Sequence, residues 1–403
     1  MTASPLRSIL MAVLAILPLL SSAAPAQDTD DARDKKLADR RQELDKMYAF
    51  GPSAARSLGY RIAWQTSIDT EITRMDVVGP DIYVVDGRNI MTRIDQKNGS
   101  PIWSATAADL NDTIWGVTEG MTPFNGLPWG QNESDRLYVT TDPVVFGIDH
   151  ATGAVVERQD LQQIPATEVI RWKNYLIFGT SHGRIVWHQY VVGHEWRANQ
   201  LEGPVVGTPT IVGDNRIAAA SLGGSVLMLS AKSAGRIWSD ETFAAVKPSV
   251  TAGGGMIFAA SDDQYLWAFD ADRGDVRWRY FTESKLDTQP AYIVVKTPKG
   301  NAGRVLQWVE SEGLVCLDAD PGTAIEGKAL WTIRDAEGDA IGMIGDRVAI
   351  WDAPKRILRM IDPVNGSVAD TFELPQVRSL TMDGDVIYVT GDQGRIVRLD
   401  PIG

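Results

Sequence analysis

The feature that most constrains this chain is a recurring frame: an apolar strand ending in Asp, three turn residues, a Gly, and a Trp eight residues after the Asp. It is clearest in RIDQKNGSPIW, Arg93 to Trp103, and AFDADRGDVRW, Ala268 to Trp278. GIDHATGAVVE repeats it with Asp149, Gly153 and, at the Trp place, Glu157; MLSAKSAGRIW has Ser230 and Trp238, with Gly235 one place late. CLDADPG carries Asp318 and Gly322, then extra residues before Trp331, and MIDPVNGSVAD carries Asp362, Gly366 and Asp370. VWHQYVVGHEW puts His188 at the Asp place and Trp196 at the Trp place, and RLDPIG stops soon after Asp400. The eight anchors therefore recur about every 44 residues, the period of a four-stranded propeller blade.

Two β-rich runs precede each anchor, such as IYVVD with NIMTRI and VIYVT with RIVRL, joined by turns rich in Gly, Asp or Asn. Within the frame, the Asp carboxylate accepts backbone N–H bonds in the hairpin, and Gly allows positive φ. The Trp ring then covers the seam to the next blade, burying roughly 150 to 250 Å² per ring. The docking residues expected are Trp64, Trp103, Trp196, Trp238, Trp278 and Trp331. Trp64 belongs to GYRIAW, an outer-strand pattern with no strands of its own, so this N-terminal strand is predicted to complete the last blade and leave no open edge. The fold expected is all-β: an eight-bladed β-propeller of four-stranded antiparallel blades over residues 59–403, closed by that strand. It converts a length that could hold two or three domains into one.

Residues 1–26 read as a secretory signal peptide, with Arg7, an apolar run from Ile9 to Leu20, and small residues Ala24 and Ala26 before the cleavage point. The run is shorter than the roughly 20 residues a membrane span needs, so export to a periplasmic or extracellular space without a stable membrane anchor is expected. Loss of Arg7 takes the formal net charge from −13 to −14. Such a surface repels nucleic acid and anionic lipid. Residues 27–58 are charge-dense and helical in pattern, with Leu37, Leu44, Met47 and Tyr48 on one narrow face. The preferred reading packs that stripe on the main domain; the alternative offers it to a partner. Gly51-Pro52 should end the helix.

The frame resembles the tryptophan-docking repeat of the pyrroloquinoline-quinone-like (quinoprotein alcohol dehydrogenase-like) eight-bladed propellers, over about residues 59 to 403. Dehydrogenases of that superfamily hold the quinone and a calcium ion in the central funnel, beside a disulfide of adjacent cysteines. This chain has one cysteine, Cys316, which excludes that disulfide and any CxxCH haem site. The other branch, BamB-like non-enzymatic propellers of outer-membrane-protein assembly, is the better resemblance, although the usual lipid-anchor cysteine is absent. It implies an exported, non-catalytic scaffold, monomeric on its own, that binds an envelope protein. The alternative is a quinone-dependent dehydrogenase or other small-ligand enzyme using the funnel with quinone and calcium.

Aligning the innermost strands places Thr73, Thr167, Thr208, Lys247, Gln289, Asp339 and Arg378 at equivalent positions, with Arg74 and Glu168 adjacent; the second blade is too irregular to align. This polar ring reads as a channel mouth that is solvated or holds a small ligand or peptide. Its mixed charge argues against a hard-cation site. His182, His188 and His194 bracket one strand and should point to opposite sides of the disc, too far apart for zinc. Cys316, in GLVCLD, reads as a buried apolar strand residue. The long insertion after the first frame carries Trp115, Phe124 and Trp129, which either form an exposed partner-binding hot spot or fold down as a cap. KTPKGNAGR, 296 to 304, reads as an extended hairpin tip.

Overall fold

The computed structural model describes residues 26–120, 136–298 and 300–403, and the chain from Tyr60 onward forms eight four-stranded antiparallel sheets. Their innermost strands are Ile72–Val78, Gly116–Glu119, Ile170–Trp172, Thr210–Val212, Thr251–Gly253, Ala291–Thr297, Asp339–Ile344 and Val377–Asp383. We number the blades one to eight in that order. The short strand Gly116–Glu119 supplies the member that could not be aligned from sequence. In blades one to seven the strands run outward in chain order. Blade eight takes its outermost strand from the other end of the propeller: Tyr60–Ser67 pairs with Arg395–Pro401, with Tyr60 opposite Pro401 and Ser67 opposite Arg395.

The sequence alternation explains how the disc is filled. In strand Asp81–Asp86 of blade one every residue is buried, but successive side chains serve different seams. Ile82 and Val84 face blade eight, while Tyr83 and Val85 face blade two. The described residues form eight apolar clusters in this way, one at each seam. The outermost strands are largely solvated, as in Val368–Glu373.

At five seams the decisive contact is an indole N–H donated from one blade's outer strand to the hairpin of the next. Trp64 Nε1 donates to Gln96 O at 3.0 Å, Trp103 to His150 O at 2.9 Å, Trp238 to Ala271 O at 3.0 Å, Trp278 to Ala319 O at 2.9 Å and Trp331 to Pro363 O at 3.1 Å. Every acceptor is the residue directly after the frame's Asp.

Trp196 differs from the expectation. Its ring lies on Tyr175, 5.0 Å between centroids, and under Arg197, while Trp187 Nε1 donates to Ala231 O at 3.0 Å in its stead. The cause is register. A bulge between Trp187 and His188 leaves Trp196 unpaired, because Trp187 pairs with Arg197 and His188 with Glu195. The anchor of blade three is thus Gln189, one place later than His188, and Arg197 holds the Trp place and donates to Ser233 O.

Among the described residues, two seams lack the tryptophan. Between blades two and three, Gln159 Nε2 donates to Tyr190 O, and His188 Nε2 lies 2.8 Å from Gln159 Oε1. Between blades seven and eight, Asp370 at the Trp place pairs with Arg347, and the seam is filled by the segment that precedes the propeller. Phe50 is fully buried there, with Ala49 and Ala55 beside it. Ala49 N donates to Gln65 Oε1, and Gln376 Nε2 to Lys46 O.

The N-terminal segment corrects the preferred reading of its apolar stripe. Helix Ala26–Met47, about 33 Å long at 1.5 Å per residue, leaves Leu37, Leu44 and Met47 exposed. The face is too interrupted by charge to compete for the seam, which Ala49, Phe50 and Ala55 occupy. Helix one ends at Met47, and Pro52 opens a second, short helix, Pro52–Ser57, where its missing N–H costs nothing.

The Trp–Gly contact yields a stability test. Gly274 has φ +85°, and a Cβ there would lie 2.7 Å from Cδ2 of Trp238; Gly255 has φ +79° with nothing within 4 Å. Gly255→Ala should cost about 1 kcal/mol, from backbone strain alone. Gly274→Ala should cost about 2 kcal/mol more, because it also displaces the indole. Urea unfolding with unchanged slope measures both, and equal losses would show that the ring-over-glycine contact does not secure the seam.

Candidate functional site

The chain enters each innermost strand on one face of the disc, and the polar positions found from sequence lie around that mouth. Innermost strands of several neighbouring blades touch, so residues at their starts surround the axis. The side chains there are largely paired among themselves.

Arg74 of blade one is the most enclosed of the cations there. Its Nε donates to Asp76 Oδ2 at 2.6 Å, Nη2 reaches Glu168 Oε2 at 2.7 Å, and Nη1 donates to Ile114 O at 3.1 Å. It therefore ties blade one to the entry of blade three across the start of blade two. Burial opposes its charge, but hydrogen bonds to Glu168 and Asp76 outweigh this and hold its pKa above the ordinary guanidinium value. On the adjoining blade eight, Arg378 pairs with Glu71 and with Asp392, and Asp392 also receives Arg356 of blade seven at 2.9 Å. Lys247 pairs with Asp262 of blade five at 2.7 Å.

The remaining positions do not converge. Thr73 Oγ1 donates to Val85 O. Thr167 is buried, donates to Glu168 O and accepts from Gly179 N, which makes it a turn residue rather than a channel residue. Thr208 is half-buried, Gln289 donates to Thr251 Oγ1, and Asp339 is exposed. The sequence supplied the positions of the cations, but not their partners Glu71, Asp76, Asp262 and Asp392. Asp76 sits two residues along the same strand as Arg74, whereas Glu71, Asp262 and Asp392 come from turns that only the fold brings in.

A calcium ion wants six to eight oxygens, and here Asp76, Glu168 and Asp392 are committed to guanidinium groups, so this donor set does not fit calcium. Among the described residues no group of three or more His, Cys, Asp or Glu could hold a metal ion. His182 and His194 lie at opposite ends of strand Arg184–Gln189, whose Gln189 pairs with His194. His188 between them is buried against Gln159, and burial, followed by repulsion from His194, lowers its pKa to about 4. Cys316 is buried, and desolvation pushes its thiol up to about 12, so it is a poor nucleophile.

Trp115 is half-buried, with Nε1 donating to Asp142 Oδ1 at 2.7 Å, so it is folded onto blade two. Phe124 and Trp129 lie outside the described residues. The blade-six insertion forms a hairpin paired as far as Thr297 opposite Gly300. No described helix is long and apolar enough to cross a membrane.

Comparison with known proteins follows the same architecture. The sequence model of one family, described as outer membrane protein assembly factor BamB, matches residues 176–402. The crystal structure of BamB from Moraxella catarrhalis superposes with a TM-score of 0.62 at 14% identity, covering 85% of this chain and 97% of that one. The computationally designed Ika8 protein gives a TM-score of 0.60 at 12% identity, over 82% of this chain and 96% of its own. At these identities the structural likeness concerns the fold. No curated protein matches the sequence.

The seam at His188 should make stability pH-dependent. Its folded pKa is about 4, below the unfolded value near 6.5, so the unfolded chain binds the extra proton between those limits. Stability contributed by the neutral ring is complete above about pH 6.5 and declines as the pH falls toward 4, by up to about 2 kcal/mol at pH 5. His188→Gln keeps an amide for Gln159 and removes the titration. Its urea stability should fall less than wild type between pH 7 and pH 5; an identical decrement would remove His188 from the account.

Proposed function

We propose a function from one premise: the chain belongs to the outer membrane protein assembly factor BamB family. It is a non-catalytic scaffold, exported through a cleaved signal peptide, that binds protein partners in the cell envelope and serves outer-membrane-protein assembly. The observation that carries the reading is the mouth of the disc. Its ionisable groups are largely spent on one another, within blades as in Arg74 with Asp76 and Arg378 with Asp392, and between blades as in Arg74 with Glu168 and Arg378 with Glu71. A catalytic site needs the reverse: a nucleophile or base left unpaired beside groups that shift its pKa. Export is supported by the N-terminal charge, apolar run and small residues up to Ala26. Rigid loops on a closed ring give a protein-binding surface without further chemistry.

The test is in cells that make the protein. Mass spectrometry of the envelope fraction should find a mature chain beginning at Gln27. Cross-linking in intact cells should recover it with components of the outer-membrane assembly machinery. Retention of the full chain in the cytoplasm would overturn the export step, and absence of any assembly component would overturn the role. Dye-linked alcohol oxidation after adding pyrroloquinoline quinone and calcium would overturn the non-catalytic reading.

A further inference from the structure

The two most exposed large hydrophobic side chains among the described residues are Ile325, 79% exposed, and Phe243, 75% exposed. Phe243 lies beneath the guanidinium of Arg279, and Ile325 lines the same cavity as that arginine. Arg279 lies on the outermost strand of blade five, Val276–Phe281, directly opposite Trp267. Its guanidinium carbon is 4.9 Å from the ring centre of Tyr265, 5.5 Å from that of Trp267 and 5.9 Å from that of Phe243.

The rings are held in place by contacts of their own. Phe243 meets Trp267 edge-on at 5.2 Å, and Tyr265 lies 5.2 Å from Phe281. Asp263 accepts both the Trp267 indole N–H and the backbone N–H of Phe243. The Arg279 backbone is fixed from the other side by the extra residues of blade six: Arg279 N donates to Ile325 O, and Gly327 N to Arg279 O. Between these elements lies a cavity of about 320 Å³ lined by Tyr265, Arg279, Phe281, Ile325 and Glu326.

Among the described residues this cation has no carboxylate: no Asp or Glu oxygen lies within 4 Å of Arg279, and Glu326 meets it only through a backbone bridge, whereas the arginines at the mouth of the disc are ion-paired. In a chain of net charge −13 an unpaired, pre-positioned guanidinium runs against the prevailing sign. Aromatic faces satisfy the flat sides of the group and leave its N–H edge open, the geometry that receives a carboxylate. Arginine with aromatic neighbours is also the composition that dominates binding energy at protein interfaces.

We propose that this rim of blades four to six docks a partner-protein segment that carries a carboxylate beside an aromatic or branched aliphatic side chain. The carboxylate pairs with Arg279, and the apolar side chain covers Phe281 and Ile325. The inference rests on the scaffold reading in taking the occupant to be a protein.

The test uses the full mature protein and a fluorescein-labelled peptide, Gly-Ser-Gly-Asp-Phe-Asp-Leu-Gly-Ser-Gly, beside its Asn-for-Asp counterpart. Fluorescence anisotropy should show the acidic peptide binding wild type at least about tenfold more tightly, the preference weakening with salt. Arg279→Met should abolish the preference. Ile325→Ser, at a site too exposed to affect folding, should weaken both peptides equally. Equal binding of the two peptides by wild type, or a preference that survives in a folded Arg279→Met, overturns the proposal. So does Arg279-dependent sedimentation with phosphatidylglycerol vesicles without peptide binding, which would assign the rim to lipid. If Arg279→Met recovers the same cross-linked assembly components as wild type, the rim is excluded while the scaffold reading stands. If wild type recovers none but the peptide preference holds, the failure belongs to the scaffold reading alone.

Discussion

The structure depends on one bond repeated around most of a circle: an indole N–H given to the carbonyl that follows the hairpin anchor of the next blade, with the ring at four of these seams laid over that hairpin's glycine. Each copy satisfies a carbonyl that would otherwise be buried without a donor, and it fixes the rotation of one sheet on the next. The seam clusters then close behind it. Because a propeller is a closed ring, an error at one seam cannot be absorbed at an edge, so every seam needs some equivalent. Where tryptophan is missing, the replacements follow the same demand. Gln159 supplies the donor to Tyr190 O at one seam, and at the other the N-terminal segment supplies apolar volume through Phe50.

This bond also explains what could be read before folding. The Asp, Gly and Trp of the frame are tied to one hairpin and its neighbour, so their spacing is local and survives in the sequence. Closure by Tyr60–Ser67 was legible for the same reason, because GYRIAW carries the outer-strand pattern without the strands that should precede it. Trp187 was not legible as the docking residue of blade three. The count from His188 is one residue short, and only the strand register shows that Gln189 ends the strand and that Trp196 sits in a bulge. Gly193, four residues after Gln189 as Gly99 is after Asp95, was the available signal, and both hairpins share the same N–H to carbonyl bond.

The candidate site was legible by half. Inner-strand alignment found the cations of the mouth, since position along a strand is a local property. Their meaning depended on partners separated by up to several hundred residues, as in Arg378 with Glu71. Once paired, they change from a possible ligand ring into ties between blades. Partly exposed guanidinium–carboxylate contacts of this sort add little net stability. They therefore fix blade order and rotation more than they raise the total free energy of folding.

That distinction separates structural from functional charge on this molecule. An arginine whose carboxylate comes from the next blade is accounted for by the ring, and so is a tryptophan whose N–H meets the next hairpin. Arg279 meets neither condition. The seam between blades four and five is already closed by Trp238 and its own apolar cluster, and the sheet would pair equally well with a short polar residue opposite Trp267. Three aromatic rings and the extra loop of blade six instead hold a cation in place at the rim, beside the most exposed apolar groups of the described chain. Pre-organisation of this kind reduces the ordering entropy of a binding event, and it has no counterpart in the demands of the fold.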